Sequence, residues 1–238
     1  MAILIIAYAI VIVLTFLMQL RNLTLFTGAL FLSVFSPGAR AANLDDQTYQ
    51  AIIASKPAIG DMVFIRIGGA IFTRVATTTL SWTSHVGIIV DYQHGDWIVA
   101  ESGVPVVRKT ALRKFIGHSV NQEFAIERLR HEPTNEEKAV MLKFADSQLG
   151  KFYSLGFDLQ SSRKTFCSKF VHDVVYVSTH QSIGEVESFD HLLHRNPDAP
   201  LFFWRMWFLG SIPWQRTTIT PASELNSPLL KIVIQNNV

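Results

Sequence analysis

The feature that most constrains this chain is its N-terminal stretch, which is long, apolar and almost uncharged. From Met1 to Ala39 the only charged side chain is Arg21, and residues 2–20 are almost wholly apolar. At about 1.5 Å of rise per residue, a helix over residues 2–20 just spans the hydrocarbon core of a bilayer. A buried core helix is the alternative, but such helices rarely lack a polar face for so long. We therefore predict a separate segment at residues 1–41 and one globular domain at residues 42–238.

The end of this segment has the features of a secretory signal. Ser36-Pro37-Gly38 ends a helix, and Ala39-Arg40-Ala41 supplies the small residues that a signal peptidase needs. If translation starts at the internal Met18, the segment is an ordinary cleaved signal peptide. If it starts at Met1, residues 1–20 form a membrane anchor. Both versions predict a protein that is membrane-anchored or exported to the periplasm or cell envelope, with the membrane as a partner through residues 1–20.

The charge of the remaining chain excludes one class of partner. The chain holds 21 Lys and Arg against 19 Asp and Glu, and Arg21 and Arg40 both lie in the N-terminal segment. The globular domain therefore carries 19 basic and 19 acidic residues and is neutral overall. A neutral domain offers no basic surface for a phosphate backbone, so we expect no nucleic acid partner.

The chain beyond residue 41 alternates short β-type runs with helical patterns. His94-Gly95-Asp96 is a turn signal between two apolar runs, which predicts a hairpin. Thr134 with Glu137 three residues later is a capping box, which predicts a helix beginning near Asn135. The pattern predicts an α+β fold in which an antiparallel sheet packs against helices. The predicted strands are 62–67, 84–92, 97–101, 104–107, 124–129 and 229–234, and the main predicted helices are 46–54, 135–149 and 165–177.

Cys167 is the only cysteine, so an intramolecular disulfide and a thiolate metal cluster are both excluded. We expect neither a metal nor a cofactor. A lone cysteine is most often a small buried hydrophobe, but Cys167 lies in the first turn of the helix predicted at 165–177. There the free backbone N–H groups and the helix dipole stabilise a thiolate and can bind an oxyanion. This position makes Cys167 a candidate nucleophile.

A cysteine nucleophile needs a base, and His85 is the best placed of the eight histidines. It opens an apolar strand, where a side chain can face a cleft. Glu101 ends the next predicted strand, and the hairpin would bring it toward His85, where a carboxylate can orient the imidazole. The alternatives remain a buried core histidine at position 85 and an ordinary surface residue at position 101.

Four short motifs follow one another along the chain: Gly60-Asp61-Met62-Val63-Phe64, Ser84-His85-Val86-Gly87-Ile88-Ile89, Ala100-Glu101-Ser102 and Phe166-Cys167-Ser168-Lys169-Phe170-Val171. In this order they resemble the YebB/YiiX-like cysteine hydrolases, which are relatives of the NlpC-type cell-wall hydrolases. The likeness continues through Gly210-Ser211-Ile212-Pro213-Trp214 and Thr220-Pro221-Ala222-Ser223, so it covers about residues 60–223. The sequence departs from the YebB branch in its long apolar leader.

This resemblance implies a circularly permuted papain-like fold, in which the histidine precedes the cysteine in sequence. By the same resemblance, Cys167 is the nucleophile, His85 the base and Glu101 the orienting residue. Tyr153 matches a tyrosine that lines the substrate pocket in such proteins.

The leading functional hypothesis is an amidase or peptidase that forms an acyl-thioester on Cys167, with a peptidoglycan peptide as a possible substrate. One alternative keeps the same three residues in a thiol acyltransferase or lipid hydrolase. Another is a non-catalytic, membrane-tethered binding module. A metal hydrolase built on Asp190, His191 and His194 is a further alternative. The aromatic run at residues 201–209 is expected to pack in the core, with a ligand- or lipid-facing surface as the other interpretation.

Overall fold

The structure is a computed structural model that describes residues 44–236. The membrane anchor or signal peptide expected at residues 1–41 lies outside these described residues. Within residues 44–236, no helix is both long enough and apolar enough to cross a membrane.

Eight helices and eight strands alternate along residues 44–236. They are α1 (Asp46–Ala54), β1 (Met62–Ile67), α2 (Ala70–Thr78), β2 (His85–Gln93), β3 (Asp96–Ser102), β4 (Val107–Ala111), α3 (Leu112–Gly117), β5 (Ser119–Leu129), α4 (Asn135–Ser147), α5 (Cys167–Thr179), β6 (Glu187–Ser188), α6 (Phe189–His194), α7 (Leu201–Trp207), β7 (Thr217–Thr218), α8 (Pro221–Leu225) and β8 (Leu230–Gln235).

Six strands form one antiparallel sheet in the order β4-β3-β2-β1-β5-β8. β1 lies inside it, with Met62 paired to Ile88 on one side and to Glu127 on the other. β6 and β7 form a separate two-stranded sheet. Every pairing in the large sheet is antiparallel, so neighbouring strands can be joined by short turns.

Side chains of β1 alternate between two hydrophobic cores, one on each face of the sheet, because successive residues of a strand point to opposite faces. Met62 and Phe64 join the core that α4 and α5 cover, and Val63 and Ile65 join the core beneath α1 and α3. Burial on both faces explains why residues 62–65 of β1 form a continuous apolar run. The predicted α+β fold, an antiparallel sheet packed against helices, is confirmed.

Two local predictions are confirmed. The hairpin between β2 and β3 turns at His94 and Gly95, which both have positive φ angles of 52° and 83°. A two-residue turn of this kind matches the twist of the flanking strands and favours glycine at its second position. The capping box at Thr134 is also present, and α4 begins at Asn135 as predicted.

The strand predicted at residues 104–107 is wrong, because β4 begins at Val107 and runs to Ala111. Proline has no N–H to donate to a ladder, so pairing with β3 begins only after Pro105. The aromatic run at 201–209 is also only partly as expected. Trp204 is buried in the core, but Phe202, Met206 and Leu209 are exposed to solvent.

Candidate active site

The thiol of Cys167 lies at the first residue of α5, as the sequence predicts. Phe166 precedes it with an extended backbone, and no side chain caps the N-terminus of the helix. The first backbone N–H groups of a helix have no partner inside the helix, so here they point toward the space beside the sulfur. Phe170 and Val171 of α5 pack in the sheet core, which fixes the position of the thiol.

His85 is the first residue of β2, so its ring stands at the end of the sheet. The ring is buried between Phe72 and Phe115, at centroid distances of 6.4 and 5.6 Å. Its Nε2 lies 2.8 Å from Oε2 of Glu101. Nδ1 is buried and makes no hydrogen bond to any residue in 44–236, which leaves it as the nitrogen available to the neighbouring thiol of Cys167.

Glu101 reaches His85 because both side chains lie on the same face of the β2–β3 hairpin. Ile88 of β2 pairs with Ala100 of β3. Glu101 comes one residue after Ala100, and His85 comes three residues before Ile88. Gly87 lies between them on that face of β2. A Cβ at Gly87 would come within 2.5 Å of Val99 Cγ1, so a larger residue there would push the two strands apart.

Two residues that the sequence analysis missed hold the second oxygen of Glu101. Arg108 Nε donates to Oε1 at 3.0 Å, and the Thr110 hydroxyl donates to the same oxygen at 2.8 Å. They are two positions apart on β4 and therefore share a face of the sheet. The contacts of Arg108 and Thr110 with Glu101 could have been predicted only from the correct bounds of β4. In the observed register, Arg108 directly opposes Glu101.

The pKa shifts of the three groups all favour their charged forms. Burial would raise the pKa of the Cys167 thiol, but the His85 ring and the backbone N–H of Ser168 hold it below its usual value. Burial opposes charge on His85, but Cys167 and Glu101 raise its pKa to about 9. Burial likewise disfavours an ionised Glu101, yet His85 and Arg108 lower its pKa to about 2. The site therefore favours a thiolate, an imidazolium and a carboxylate in a row.

Tyr153 also lies beside the thiol of Cys167. Its hydroxyl is 4.0 Å from Sγ of Cys167, and its backbone pairs with Thr165 just before α5. Burial and the neighbouring Cys167 raise the pKa of Tyr153 well above its usual value, so the hydroxyl keeps its proton. The structure thus brings Tyr153, Cys167, His85 and Glu101 together.

A largely apolar cavity opens beside Cys167 and Tyr153. Ser84, Ser168 and Thr220 are among the polar residues that line it. Most of its wall is aromatic or aliphatic, formed by Phe72, Phe157, Phe166, Phe189, Leu192 and Trp204. The arrangement can therefore hold an apolar group against the sulfur while water is largely excluded.

Glu224 of α8 is a second buried carboxyl near the site, which the sequence analysis did not single out. It is fully buried, and neither carboxyl oxygen has a hydrogen-bond partner within residues 44–236. Burial raises its pKa well above the usual value, and the nearby Cys167 adds to this effect. Thr220 and Pro221, at the start of α8, line the cavity.

The histidines proposed for a metal hydrolase are each paired with the carboxylate that lies four residues earlier in the chain. His191 Nδ1 is 3.2 Å from Glu187, and His194 Nδ1 is 3.1 Å from Asp190. Among residues 44–236, no group of three or more His, Cys, Asp or Glu side chains is arranged to hold a metal ion.

Comparison with solved structures finds similar folds. The crystal structure of a protein described as metalloprotein yiiX, from Escherichia coli O157:H7, matches with a TM-score of 0.70 and 23% sequence identity. The match covers 76% of this chain and 98% of that chain. No curated protein sequence matches this chain. The structural match shows a shared fold.

A family model gives the relationship directly. It describes permuted papain-like amidase enzymes of the YaeF/YiiX, C92 family, and it matches residues 56–234. That range contains every strand of the large sheet except the last residue of β8, and it contains all four predicted site residues. The resemblance found in the sequence and the permuted papain-like fold are therefore confirmed, and the chain belongs to the YaeF/YiiX (C92) family of permuted papain-like amidases.

Proposed function

We propose that the chain cleaves an amide bond through an acyl-thioester on Cys167, with His85 as acid and base and Glu101 as the residue that orients it. The observation that carries this proposal is the connected row of Cys167, His85 and Glu101, in which Glu101 binds Nε2 of His85 and leaves Nδ1 for the thiol. The amidase activity of the family supports the reaction class.

In the first half of the proposed reaction, the Cys167 thiolate attacks the carbonyl carbon of the amide. The carbonyl oxygen becomes an oxyanion, which the backbone N–H groups at the start of α5 can stabilise. The C–N bond then breaks, and the imidazolium of His85 gives its proton to the leaving nitrogen. The products of this half are a free amine and an acyl-thioester on Sγ.

In the second half, water attacks the thioester carbon while neutral His85 takes a proton from it. The C–S bond breaks, the acid leaves, and the thiolate and imidazolium are restored. Glu101 stays ionised throughout and keeps His85 in the tautomer that presents Nδ1 to the reacting atoms. Tyr153, whose hydroxyl is close to Sγ, contacts the bound substrate in this proposal.

A peptidoglycan peptide is the substrate that we propose first, with the cell envelope as the site of action. The test incubates the full chain with purified peptidoglycan and follows released fragments by mass spectrometry. We expect new amine and carboxyl ends with the native chain and none with Cys167→Ser. Intact-mass measurement should show an acyl adduct on the native chain, and its absence with every amide substrate would contradict the proposal.

The cavity favours a second candidate, a hydrolase or transferase that uses the same residues on a fatty acyl group. Its wall is almost wholly apolar, and a peptide would leave backbone groups there without partners. Comparing p-nitrophenyl acetate with p-nitrophenyl octanoate would test this. We expect a preference for octanoate that Leu192→Phe abolishes by narrowing the cavity.

Leu193→Phe is the matched control, because Leu193 is equally buried beside Leu192 but does not line the cavity. It should keep the octanoate preference. Equal rates on both esters with the native chain would favour the peptide substrate instead.

A further inference from the structure

We propose that the ring of Phe157 limits how far an apolar acyl group can extend from Sγ of Cys167, and so determines which chain lengths the site accepts. This role rests on the second candidate function above, in which the cavity holds a fatty acyl group. It goes beyond that candidate because it names the residue that sets the length of the substrate.

Phe157 has a backbone conformation that a bulky residue rarely adopts. Its φ angle is 49°, in the left-handed region that favours glycine. A phenylalanine is strained there because its Cβ approaches the carbonyl oxygen that follows it. Strained residues persist only where the surrounding structure fixes them, and they cluster at functional sites. The strain at Phe157 therefore directs attention to what its side chain does.

Hydrogen bonds from a distant part of the chain fix the backbone next to Phe157. Trp207 Nε1 donates to the Leu155 carbonyl at 2.9 Å. A guanidinium nitrogen of Arg216 donates to the Gly156 carbonyl at 2.9 Å. The two residues before Phe157 are thus held from outside the loop, and its backbone cannot relax without breaking these bonds.

The ring of Phe157 lies among three other aromatic rings that line the cavity. Its centroid is 6.4 Å from that of Tyr153, 5.8 Å from that of Phe166 and 6.2 Å from that of Trp204, each edge to face. Tyr153 is the residue whose hydroxyl is 4.0 Å from Sγ of Cys167. Phe157 is buried, so its ring fills space in the cavity wall that a longer apolar chain would need.

The rings around Phe157 are held firmly, so they would not fill its place if it were removed. Trp204 is buried and donates from Nε1 to Thr78 Oγ1 at 2.9 Å. Phe166 is buried directly before α5. Because the neighbours of a deleted core side chain relax only partially, Phe157→Gly should leave an apolar void that joins the cavity.

The test attaches alkyl chains of increasing length to Sγ of Cys167, the only cysteine of the full chain. Alkyl methanethiosulfonates transfer an S-alkyl group to a thiolate and release methanesulfinate, so the chain extends from the sulfur as an acyl group would. The reagents carry methyl, butyl, hexyl, octyl and decyl groups. Each labelling rate is followed by intact-mass measurement and divided by the rate with a small thiol in solution, which corrects for the reactivity of the reagent.

Two variants change the ring, and a third is the matched control. Phe157→Gly removes the ring and suits the positive φ angle. Phe157→Leu shortens the side chain and keeps it apolar, so it serves if the glycine variant does not fold. Phe203→Ala is the control, because the Phe203 ring also meets Trp204 edge to face, at 5.4 Å, but does not line the cavity.

We expect the corrected rate of the native chain to rise with chain length up to a limit and then to fall. Each methylene that enters the cavity adds about fourfold in affinity, until the chain meets the Phe157 ring. Phe157→Gly should move the limit by about two methylenes, which is about 16-fold in rate with the first chain too long for the native protein. Phe157→Leu should move the limit less in the same direction, and Phe203→Ala should keep the native limit.

Three results would overturn the role of Phe157. A native rate that is independent of chain length, or that rises through the decyl reagent, would mean that the cavity has no limit. The native limit in both Phe157→Gly and Phe157→Leu would mean that another residue sets it. An equal shift in Phe203→Ala would mean that loosening of the aromatic cluster changes the length.

Labelling needs no turnover, so the outcome is separate from that of the proposed function. If the limit moves as expected while the native chain cleaves neither esters nor amides, the limit set by Phe157 stands and the proposed hydrolase function is contradicted.

Discussion

Replacing Glu101 with glutamine should raise the pH at which Cys167 becomes reactive. Glutamine keeps an oxygen that can accept from His85 Nε2, but it removes the negative charge that stabilises the imidazolium. A hydrogen bond to a charged group contributes about 1.5–3 kcal/mol. At about 1.4 kcal/mol per pKa unit, the pKa of His85 should fall by roughly 1–2 units from its value of about 9.

A His85 ring with a lower pKa stabilises the Cys167 thiolate less. At a pH where the ion pair and the neutral pair both exist, the population of the thiolate–imidazolium pair should therefore fall about 10- to 100-fold. The assay is the rate at which iodoacetamide alkylates Cys167, measured between about pH 5 and 10. This range brackets the ordinary thiol pKa of ~8.5. The native chain should show a midpoint below that value, and Glu101→Gln should show a higher one.

Two further variants make the measurement specific to the charge of Glu101. Thr110→Val removes one hydrogen bond to Oε1 but leaves the carboxylate, so its midpoint should move less than that of Glu101→Gln. Glu127→Gln makes the same substitution at a buried strand residue that pairs with Met62, and its midpoint should match the native chain. If Glu101→Gln alkylated with the native midpoint, the carboxylate would not support the ion pair.

Cys167→Ala and His85→Ala should each abolish turnover, and the double variant should be no worse than either single, because groups that act as one unit show non-additive losses; near-normal turnover in His85→Ala would refute its role as base. Glu224→Gln should raise the free energy of unfolding at neutral pH, because the raised pKa of buried Glu224 makes the native fold lose stability as pH rises above about 4.5. Denaturant titrations should show this gain vanishing at lower pH, and a gain that persists there would point to packing instead. To test the segment at residues 1–41, alkaline phosphatase is fused after Val238, and the fusion should be active in bacterial cells. An inactive fusion in the soluble fraction would contradict both the predicted anchor and the predicted signal peptide.

The residues around Cys167 and His85 could be predicted because their signals are local. A buried apolar stripe with i, i+4 spacing places Cys167 in the first turn of a helix, and a turn sequence between two apolar runs places His85 and Glu101 on one hairpin. Each of these features depends on a few consecutive residues, so the sequence carries it without knowledge of the rest of the fold.

Arg108, Thr110 and Glu224 could not be predicted because their roles depend on distant parts of the chain. Arg108 and Thr110 matter only through their register against β3, and Pro105 obscured where β4 begins. Glu224 is a buried carboxyl with no hydrogen-bond partner among residues 44–236, contrary to the usual placement of glutamate, so composition gives no sign of it. The exposure of Phe202 was missed for the same reason, since only packing decides which aromatic residues of a run face inward.

The position of β4 has a consequence for how the protein loses activity. β4 is the terminal strand of the large sheet, paired on one side with β3, and it supplies both residues that hold Oε1 of Glu101. An edge strand can detach in a local opening that costs less free energy than unfolding the whole domain. Glu101 would then lose Arg108 and Thr110 while Cys167 remained packed in the core, so on gentle heating the chain would become inactive before its sheet melted.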